Sequence, residues 1–223
     1  MRIAVIIPAR NEAASIECAL SNLQGWRQRG HQVIVVDGDS TDATAEIART
    51  LADRVIVSEP GRARQMNMGA ESADADILLF LHADTLIDTT ADRYIIDAVS
   101  NGCSWGRFNV SFNTNALIFK IIAFAMNLRS CVSSIATGDQ AIFIERALFS
   151  QVGRYPLQPL MEDIQLSINL RRHQRACCLP VRVVTSARRW QQKGVIRTII
   201  LMWGLRLGYF VGLSAERLKR WYD

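Results

Sequence analysis

The 223-residue sequence predicts an α/β domain with a mostly parallel central sheet flanked by helices, followed by a helical, basic tail. Three observations carry this prediction. Short apolar runs alternate four times with segments of helical spacing, the pattern of a parallel sheet covered on both faces. Polar and acidic residues follow directly after three of those runs, where open parallel sheets bind ligands. Charge is also divided along the chain. Residues before 171 hold 14 Lys and Arg against 19 Asp and Glu, whereas residues from 171 onward hold 12 against 2.

Residues 3–8 form a continuous apolar run and read as a strand buried on both faces. Ile16, Ala19, Leu20 and Leu23 give residues 13–23 a helical spacing. Residues 32–37 form the next buried strand. Ser40 is the expected N-cap of a helix reaching about residue 51, with Asp42 in its first turn. Residues 54–58 and 77–82 read as strands, and residues 62–72 as the helix between them. The short links imply right-handed crossovers. After His82 the rhythm breaks. Residues 91–100 look helical, 105–112 strand-like, and 116–128 form an apolar helix interrupted by Lys120. Residues 140–144 read as a strand and 162–172 as a helix. The expected organisation is one domain over residues 1–190, with a regular half over 1–85 and a less regular half over 86–190, followed by an amphipathic helical tail over 191–223.

The longest apolar stretch, residues 195–213, contains Arg197 and Arg206, and a central Arg disfavours a bilayer-spanning helix. Two readings remain. One is an interfacial helix with Trp203, Tyr209, Trp221 and Tyr222 at the lipid boundary. The other is a helix packed on the domain or on another subunit. With 49% hydrophobic and 21% charged residues, the chain is long and apolar enough for a proper core, which excludes a disordered polypeptide. The five cysteines form no C-x-x-C pair and are odd in number, so a reducing, cytosolic compartment is expected rather than a disulfide framework. Cys177 and Cys178 read as a pair of small buried apolar residues. The first apolar run meets Pro8, Arg10, Asn11 and Glu12 too early for a signal peptide.

The first strand delivers Pro8-Ala9-Arg10-Asn11-Glu12 to one sheet edge, the second Asp37-Gly38-Asp39-Ser40-Thr41-Asp42, and the fourth His82-Ala83-Asp84-Thr85. Each alone is explained equally well by a capping turn. Three at one edge point to a ligand. A strand-end carboxylate beside a phosphate site suits Mg²⁺ or Mn²⁺, and Asp84 is the expected ligand. His82 is a second candidate ligand, a ribose contact or a satisfied buried histidine. No Walker loop or G-x-G-x-x-G is present. Instead, the stretch from Gly61 through Arg62, Arg64, Gln65 and Asn67 to Ala70 opens a helix with arginines suited to phosphate, or simply exposed on its surface.

These residues together resemble the inverting family-2 glycosyltransferases of GT-A fold over roughly residues 1–190. Pro8 to Glu12 resembles the P-x-x-N-E opening of that family, and Val35 to Thr44 its V-D-D-G-S-x-D-x-T segment. His82-Ala83-Asp84 stands where the family carries its metal-binding D-x-D. Glu162-Asp163 resembles the late E-D pair whose Asp is the catalytic base. The resemblance is closest to a small bacterial subgroup with V-D-G-x-S, G-R-A-x-Q-M-N-x-G-A, L-H-A-D-T, G-D-Q and R-R-W, which is provisionally associated with arsenosugar biosynthesis. Gly38-Asp39 inverts the family's Asp-Gly order, and His82 replaces the first Asp of D-x-D.

The resemblance implies transfer of a sugar from a nucleotide-diphosphate sugar to an acceptor hydroxyl with inversion, and makes residues 1–190 the catalytic domain, with 1–85 its nucleotide-binding half and 86–190 its acceptor-binding half. Asp163 is the implied base, with Glu162 beside it. Pro8, Ala9, Arg10, Glu12, Asp37, Asp39, Arg62, Arg64, Gln65, Asn67, His82, Ala83 and Asp84 are the implied donor-binding residues. Asp139, Gln140, Arg189 and Trp190 are expected on the acceptor side. The acceptor is a small molecule or lipid-linked, and the tail offers a peripheral contact with the inner face of the cytoplasmic membrane. A homodimer is left open, and nucleic acid is not expected as a partner. Two alternatives stand beside the enzyme: a non-catalytic nucleotide-sugar-binding or scaffold protein, and a nucleotidyltransferase. The latter would normally show a Gly-rich phosphate loop near the first strand.

Overall fold

The computed structural model describes residues 1–222, without the side chain of Arg189. The first half follows the expected alternation: β1 (Ile3–Ala9), α1 (Ala13–Asn22), α2 (Gln24–Gln28), β2 (Gln32–Asp37), α3 (Thr44–Leu51), β3 (Arg54–Val57), α4 (Arg62–Ser72) and β4 (Ile77–Phe80). Thereafter come β5 (Leu86–Ile87), α5 (Ala91–Ser100), β6 (Trp105–Phe112), α6 (Leu117–Ser133), a 3-10 turn at Gly138–Gln140, β7 (Ile142–Glu145), α7 (Arg146–Gln151), α8 (Glu162–Leu170) and β8 (Cys177–Thr185). The tail folds as α9 (Arg188–Lys193), α10 (Val195–Phe210) and α11 (Ala215–Tyr222).

All eight strands join one sheet in the order β3-β2-β1-β4-β7-β6-β8-β5. The β1, β2, β3 and β4 ladders are parallel, β7 runs antiparallel between β4 and β6, and β6 pairs in parallel with β8. Alternation along the buried strands builds two cores. Ile3, Val5, Ile7, Val33 and Val35 face one layer of helices, while Ala4, Ile6, Ile34 and Val36 face the other. The uninterrupted apolar runs of β1 and β2 are thus explained by burial on both faces.

Several expectations are corrected. Ser40 does not cap α3. That helix starts at Thr44 behind Ala43, and the Ser40 amide and hydroxyl turn back to Asp37. The strand expected at 140–144 begins at Ile142, because Gln140 closes the 3-10 turn. Helix α6 runs five residues beyond the expected end, to Ser133. Strand β8 has no counterpart in the sequence reading, since Pro180 and Arg182 interrupt its apolar pattern. The cysteine expectation also changes. Cys103 and Cys177 are bonded to each other across the adjacent starts of β6 and β8, a juxtaposition that a separation of 74 residues conceals. Cys177 and Cys178 are half-buried rather than a fully buried apolar pair.

Helix α4 approaches β1 closely because Gly69 lies over Ile6 and Val36. A β-carbon at Gly69 would overlap Ile6 Cγ2 and stand 3.1 Å from Val36 Cγ2. Gly69→Ala gains helix propensity of roughly 1 kcal/mol, but both contacts are with fully buried side chains that have nowhere to move. The overlap should dominate, with a net loss of about 1–3 kcal/mol in urea unfolding. An unchanged midpoint would mean that α4 does not lie this close to the sheet.

Candidate active site

The carboxyl ends of β1, β2 and β4 lie side by side, as parallel pairing requires. Asp37, at the end of β2, is 2% exposed and spends both carboxylate oxygens on Ser40, accepting from its amide at 3.0 Å and its hydroxyl at 2.5 Å. It therefore holds the turn. Asp39 sits exposed at the tip of that turn with φ 61°. Asn11, itself at φ 54°, accepts from the Thr41 amide at 2.9 Å and ties the β1 and β2 loops together. Arg10 is exposed beside it.

Gln65 is buried beneath these loops, and its amide nitrogen donates to Ala9 O at 2.9 Å and Val36 O at 2.7 Å. Its side chain lies against Gly38, where a β-carbon would stand 2.9 Å from Nε2. The Gly-Asp order at 38–39 thus has a physical cause, because no side chain fits over Gln65. Gln65 thus braces the loops from beneath. Asn67 likewise pairs with the backbone of Tyr155, donating to its carbonyl at 2.8 Å and accepting from its amide at 3.1 Å. Arg64 turns aside to pair with Glu59.

A second group of residues does converge. Arg62, His82, Gly138, Tyr155, Glu162 and Asp163 line one narrow recess floored by Met66, Phe80 and Ile142. The Asp163 Oδ2 accepts the Gly138 amide at 2.9 Å, and its Oδ1 accepts the Ile164 amide at 2.7 Å. Arg62 Nη1 is 3.8 Å from Glu162 Oε1. His82 Nδ1 lies 3.3 Å from Asp139 Oδ1, and the rest of the ring packs on Gly138. Burial and the adjacent Asp163 charge push the Glu162 carboxyl above its ordinary range, and Arg62 only partly offsets this. Burial also raises the Tyr155 phenol, and Asp163 and Glu162 raise it further.

Asp84 is half-buried and receives one long contact, from Thr85 Oγ1 at 3.4 Å. Ala83 is buried beside it, and Pro8 lies within β1. Among the described residues no three His, Cys, Asp or Glu side chains gather to hold a metal by themselves. One available carboxylate fits a hard divalent ion that takes its remaining ligands from a diphosphate and water. His82, the second candidate ligand, turns Nδ1 to Asp139 and lays its buried Nε2 against Gly138.

On the expected acceptor side, Asp139 stays half-exposed beside His82. Gln140 turns into the protein. It is fully buried and donates to Ser130 Oγ at 2.8 Å and Asn127 Oδ1 at 3.2 Å. Trp190 packs edge-on against Phe112, with ring centroids 5.8 Å apart. The Arg189 side chain lies outside the described residues. Its neighbour Arg188, which the sequence reading passed over within the same R-R-W motif, comes within 3.6 Å of Glu12 and so links α9 to the β1 loop. Arg129 was also passed over, and no local motif marks it. Its guanidinium is largely buried, and desolvation lowers its pKa to about 10 despite the opposing fields of Asp163 and Asp139.

Two outcomes test this geometry. A carboxyl whose pKa is raised on folding loses stability as pH rises from the unfolded carboxylate range through its higher folded value. Glu162→Gln should therefore raise the melting temperature at pH 7, and the gain should vanish below the unfolded carboxylate range. A gain that is the same at every pH would contradict the assigned cause. Separately, Gly138→Ala would drive a methyl into the His82 ring, and should lower stability by about 1–3 kcal/mol while shifting the Gly138 turn that holds Asp163. A calorimetric scan identical to that of the unmodified protein would show that the ring does not rest there.

Comparison with known proteins places this geometry. The model of Glycosyl transferase family 2 matches residues 4–151. The poly-beta-1,6-N-acetyl-D-glucosamine synthase of Staphylococcus aureus is 26% identical over 188 residues, covering 75% of this chain and 45% of that protein. A PGL/p-HBAD biosynthesis glycosyltransferase of Mycobacterium bovis is 30% identical over 176 residues, covering 69% and 63%. The chain spans about half the length of the first of these relatives. Among solved structures, S. aureus TarS superposes with a TM-score of 0.66 at 18% identity, over 83% of this chain and 37% of that one. The mannosyltransferase PcManGT from Pyrobaculum calidifontis, in complex with GDP-Man and Mn2+, superposes with a TM-score of 0.65 at 23% identity, over 82% and 56%. The shared sheet and flanking helices are those of the GT-A fold, and the chain belongs to glycosyltransferase family 2.

Proposed function

We propose that this protein transfers a sugar from a nucleotide-diphosphate sugar to an acceptor hydroxyl with inversion at the anomeric carbon. The observation that carries this reading is the clamped Asp163 carboxylate. Two backbone amides aim it into the recess beside Arg62, and each oxygen keeps a lone pair free. Such a group can take a proton without moving. The acceptor oxygen attacks the anomeric carbon, its proton passes to Asp163, and the bond to the diphosphate breaks with its electrons leaving on the nucleoside diphosphate. Glu162 sets its carboxylate beside the Arg62 guanidinium and offsets part of its charge.

Asp39, Arg10 and the loop after β1 offer the surface for the nucleotide, and Asp84 together with Arg62 that for the diphosphate. A Mn²⁺ or Mg²⁺ ion held by Asp84 would supply neutralising charge for the leaving group. Asp139 stands at the acceptor side with His82 behind it. The solved neighbour in complex with GDP-Man and Mn2+ supports a donor and an ion of these classes. The link to arsenosugar biosynthesis rests on motif resemblance alone and enters only as one acceptor class to assay. The reading also includes a peripheral contact of the tail with the inner face of the cytoplasmic membrane. In a reducing compartment Cys103 and Cys177 would stand as neighbouring thiols, because the β6–β8 ladder holds the two strands together without the bond.

A nucleotide-sugar panel assayed for hydrolysis and transfer, with and without Mn²⁺, tests the reading as a whole. Within it, Asp163→Asn keeps shape but loses proton acceptance, so turnover should fall by about two to four orders of magnitude with little change in donor affinity. A collapse of donor binding with turnover preserved would reassign Asp163 to the donor. Asp84→Ala should abolish metal-dependent binding of UDP or GDP in calorimetry and leave the fold intact. Undiminished binding by the folded variant would remove Asp84 from the site.

A further inference from the structure

Two helices present apolar stripes to solvent. On α6 the stripe comprises Leu117, Ile121, Phe124, Leu128 and Val132, opposite the buried Phe119, Ile122 and Ala123, and Phe124 is 69% exposed. On α10 it comprises Ile196, Ile200, Trp203, Leu207 and Phe210, opposite the buried Leu205, and Trp203 is 70% exposed. The spacing in both is that of one helix face. The two helices share one apolar cluster, in which Val195 and Ile199 of α10 pack against Phe119 and Ile122 of α6 together with Ala187. Exposed apolar area on this scale marks an interaction surface. Charge shows what kind. Helices α6 and α10 contain no Asp or Glu; of their cations Lys120 and Arg197 are exposed and Arg206 partly so, while the Arg129 guanidinium is buried on the other side, and α11 adds three cations to a single acid, Glu216.

We propose that the outer faces of α6 and α10 form one docking plate for an anionic lipid bilayer. This rests on the tail contact contained in the proposed function and extends it to a helix from inside the catalytic domain. A second copy of the chain fits less well. A two-fold interface sets a patch against itself, so cations would meet the same cations with no acid to pair them. An anionic leaflet accepts the apolar stripes and supplies the opposite charge. No helix among the described residues is long and apolar enough to cross a membrane, so the plate lies on the surface. The plate also backs the site. Leu205 of α10 packs with Met161 and Ile164 on either side of Glu162 and Asp163, and α6 leads into the Gly138 loop. Docking would hold the recess beside the headgroups, where a lipid-linked acceptor presents its hydroxyl.

The test uses the full chain with phosphatidylcholine vesicles, with and without phosphatidylglycerol, sedimented at low and high salt. Pelleting should require the anionic lipid and weaken in high salt. Phe124→Glu and Leu207→Glu should each reduce partitioning at least about tenfold, while Phe124→Leu should retain it. Both sites are exposed, and circular dichroism of the variants would verify that they fold. The plate is overturned by an absence of pelleting at low salt or by equal pelleting with neutral lipid. It is likewise overturned by wild-type binding of Phe124→Glu beside loss in Leu207→Glu, which leaves the tail alone as the contact. A concentration-dependent dimer broken by the same substitutions would assign the surface to a second copy instead. Nucleotide-sugar hydrolysis measured without vesicles reports on the catalytic reading separately, so failure of one is not mistaken for failure of the other.

Discussion

The hydrogen bond from the Gly138 amide to the Asp163 carboxylate connects the two parts of the chain that line the candidate site. One end belongs to the turn that follows α6 and leads into β7, the sheet's antiparallel insertion. The other belongs to the first turn of α8. Gly138 can serve because it lacks a side chain, and the space a methyl would fill is taken by the His82 ring. His82 in turn stands beside Asp139. A carboxylate that accepts two backbone amides is held by groups that cannot rotate away, so its direction is a property of the fold.

Around that anchor, the polar residues at the sheet edge divide by physical role. Asp37, Asn11 and Gln65 use their hydrogen-bonding capacity on the loops themselves. Asp39, Arg10 and Asp84 remain turned to solvent or only lightly engaged. The first set gives the second its positions. Glu162 and Arg62 form a different kind of support. A carboxylate taken out of water is costly, and the pair repays that cost only in part at 3.8 Å. The site thus carries a local instability in the helix that presents Asp163.

The tail is where packing and surface chemistry meet. Leu205 and Leu218 bury against Ile135, Met161 and Ile164, and the Tyr209 hydroxyl donates to Gln165 Oε1 at 2.6 Å. Helices α10 and α11 are therefore part of the support of α8, and the expectation of a helix packed on the domain is met on one face. The other face of α10 stays apolar and exposed. A single helix can satisfy both readings because 3.6-residue periodicity lets the two faces carry different chemistry.

The sequence by itself determined the fold class and the first half of its architecture. Continuous apolar runs are forced into doubly covered strands, and helical spacing between them leaves little choice of topology. It also marked the edge that carries the candidate site, because strand ends are adjacent in sequence to their loops. Asp163, Glu162, Arg62, His82, Asp84 and Asp139 were named as candidates from local motifs. Only the tertiary structure decided which polar residues are spent on scaffolding. Gln65, Asn67 and Gln140 read as ligand contacts in the chain, yet each finds its partners at distances in sequence that no motif encodes. The same limit hid β8, the Cys103–Cys177 pair and the Arg188–Glu12 contact. A local pattern records what a residue is and which way its neighbours turn. Which groups meet across the sheet depends on register and packing, and these exist only once the chain has folded.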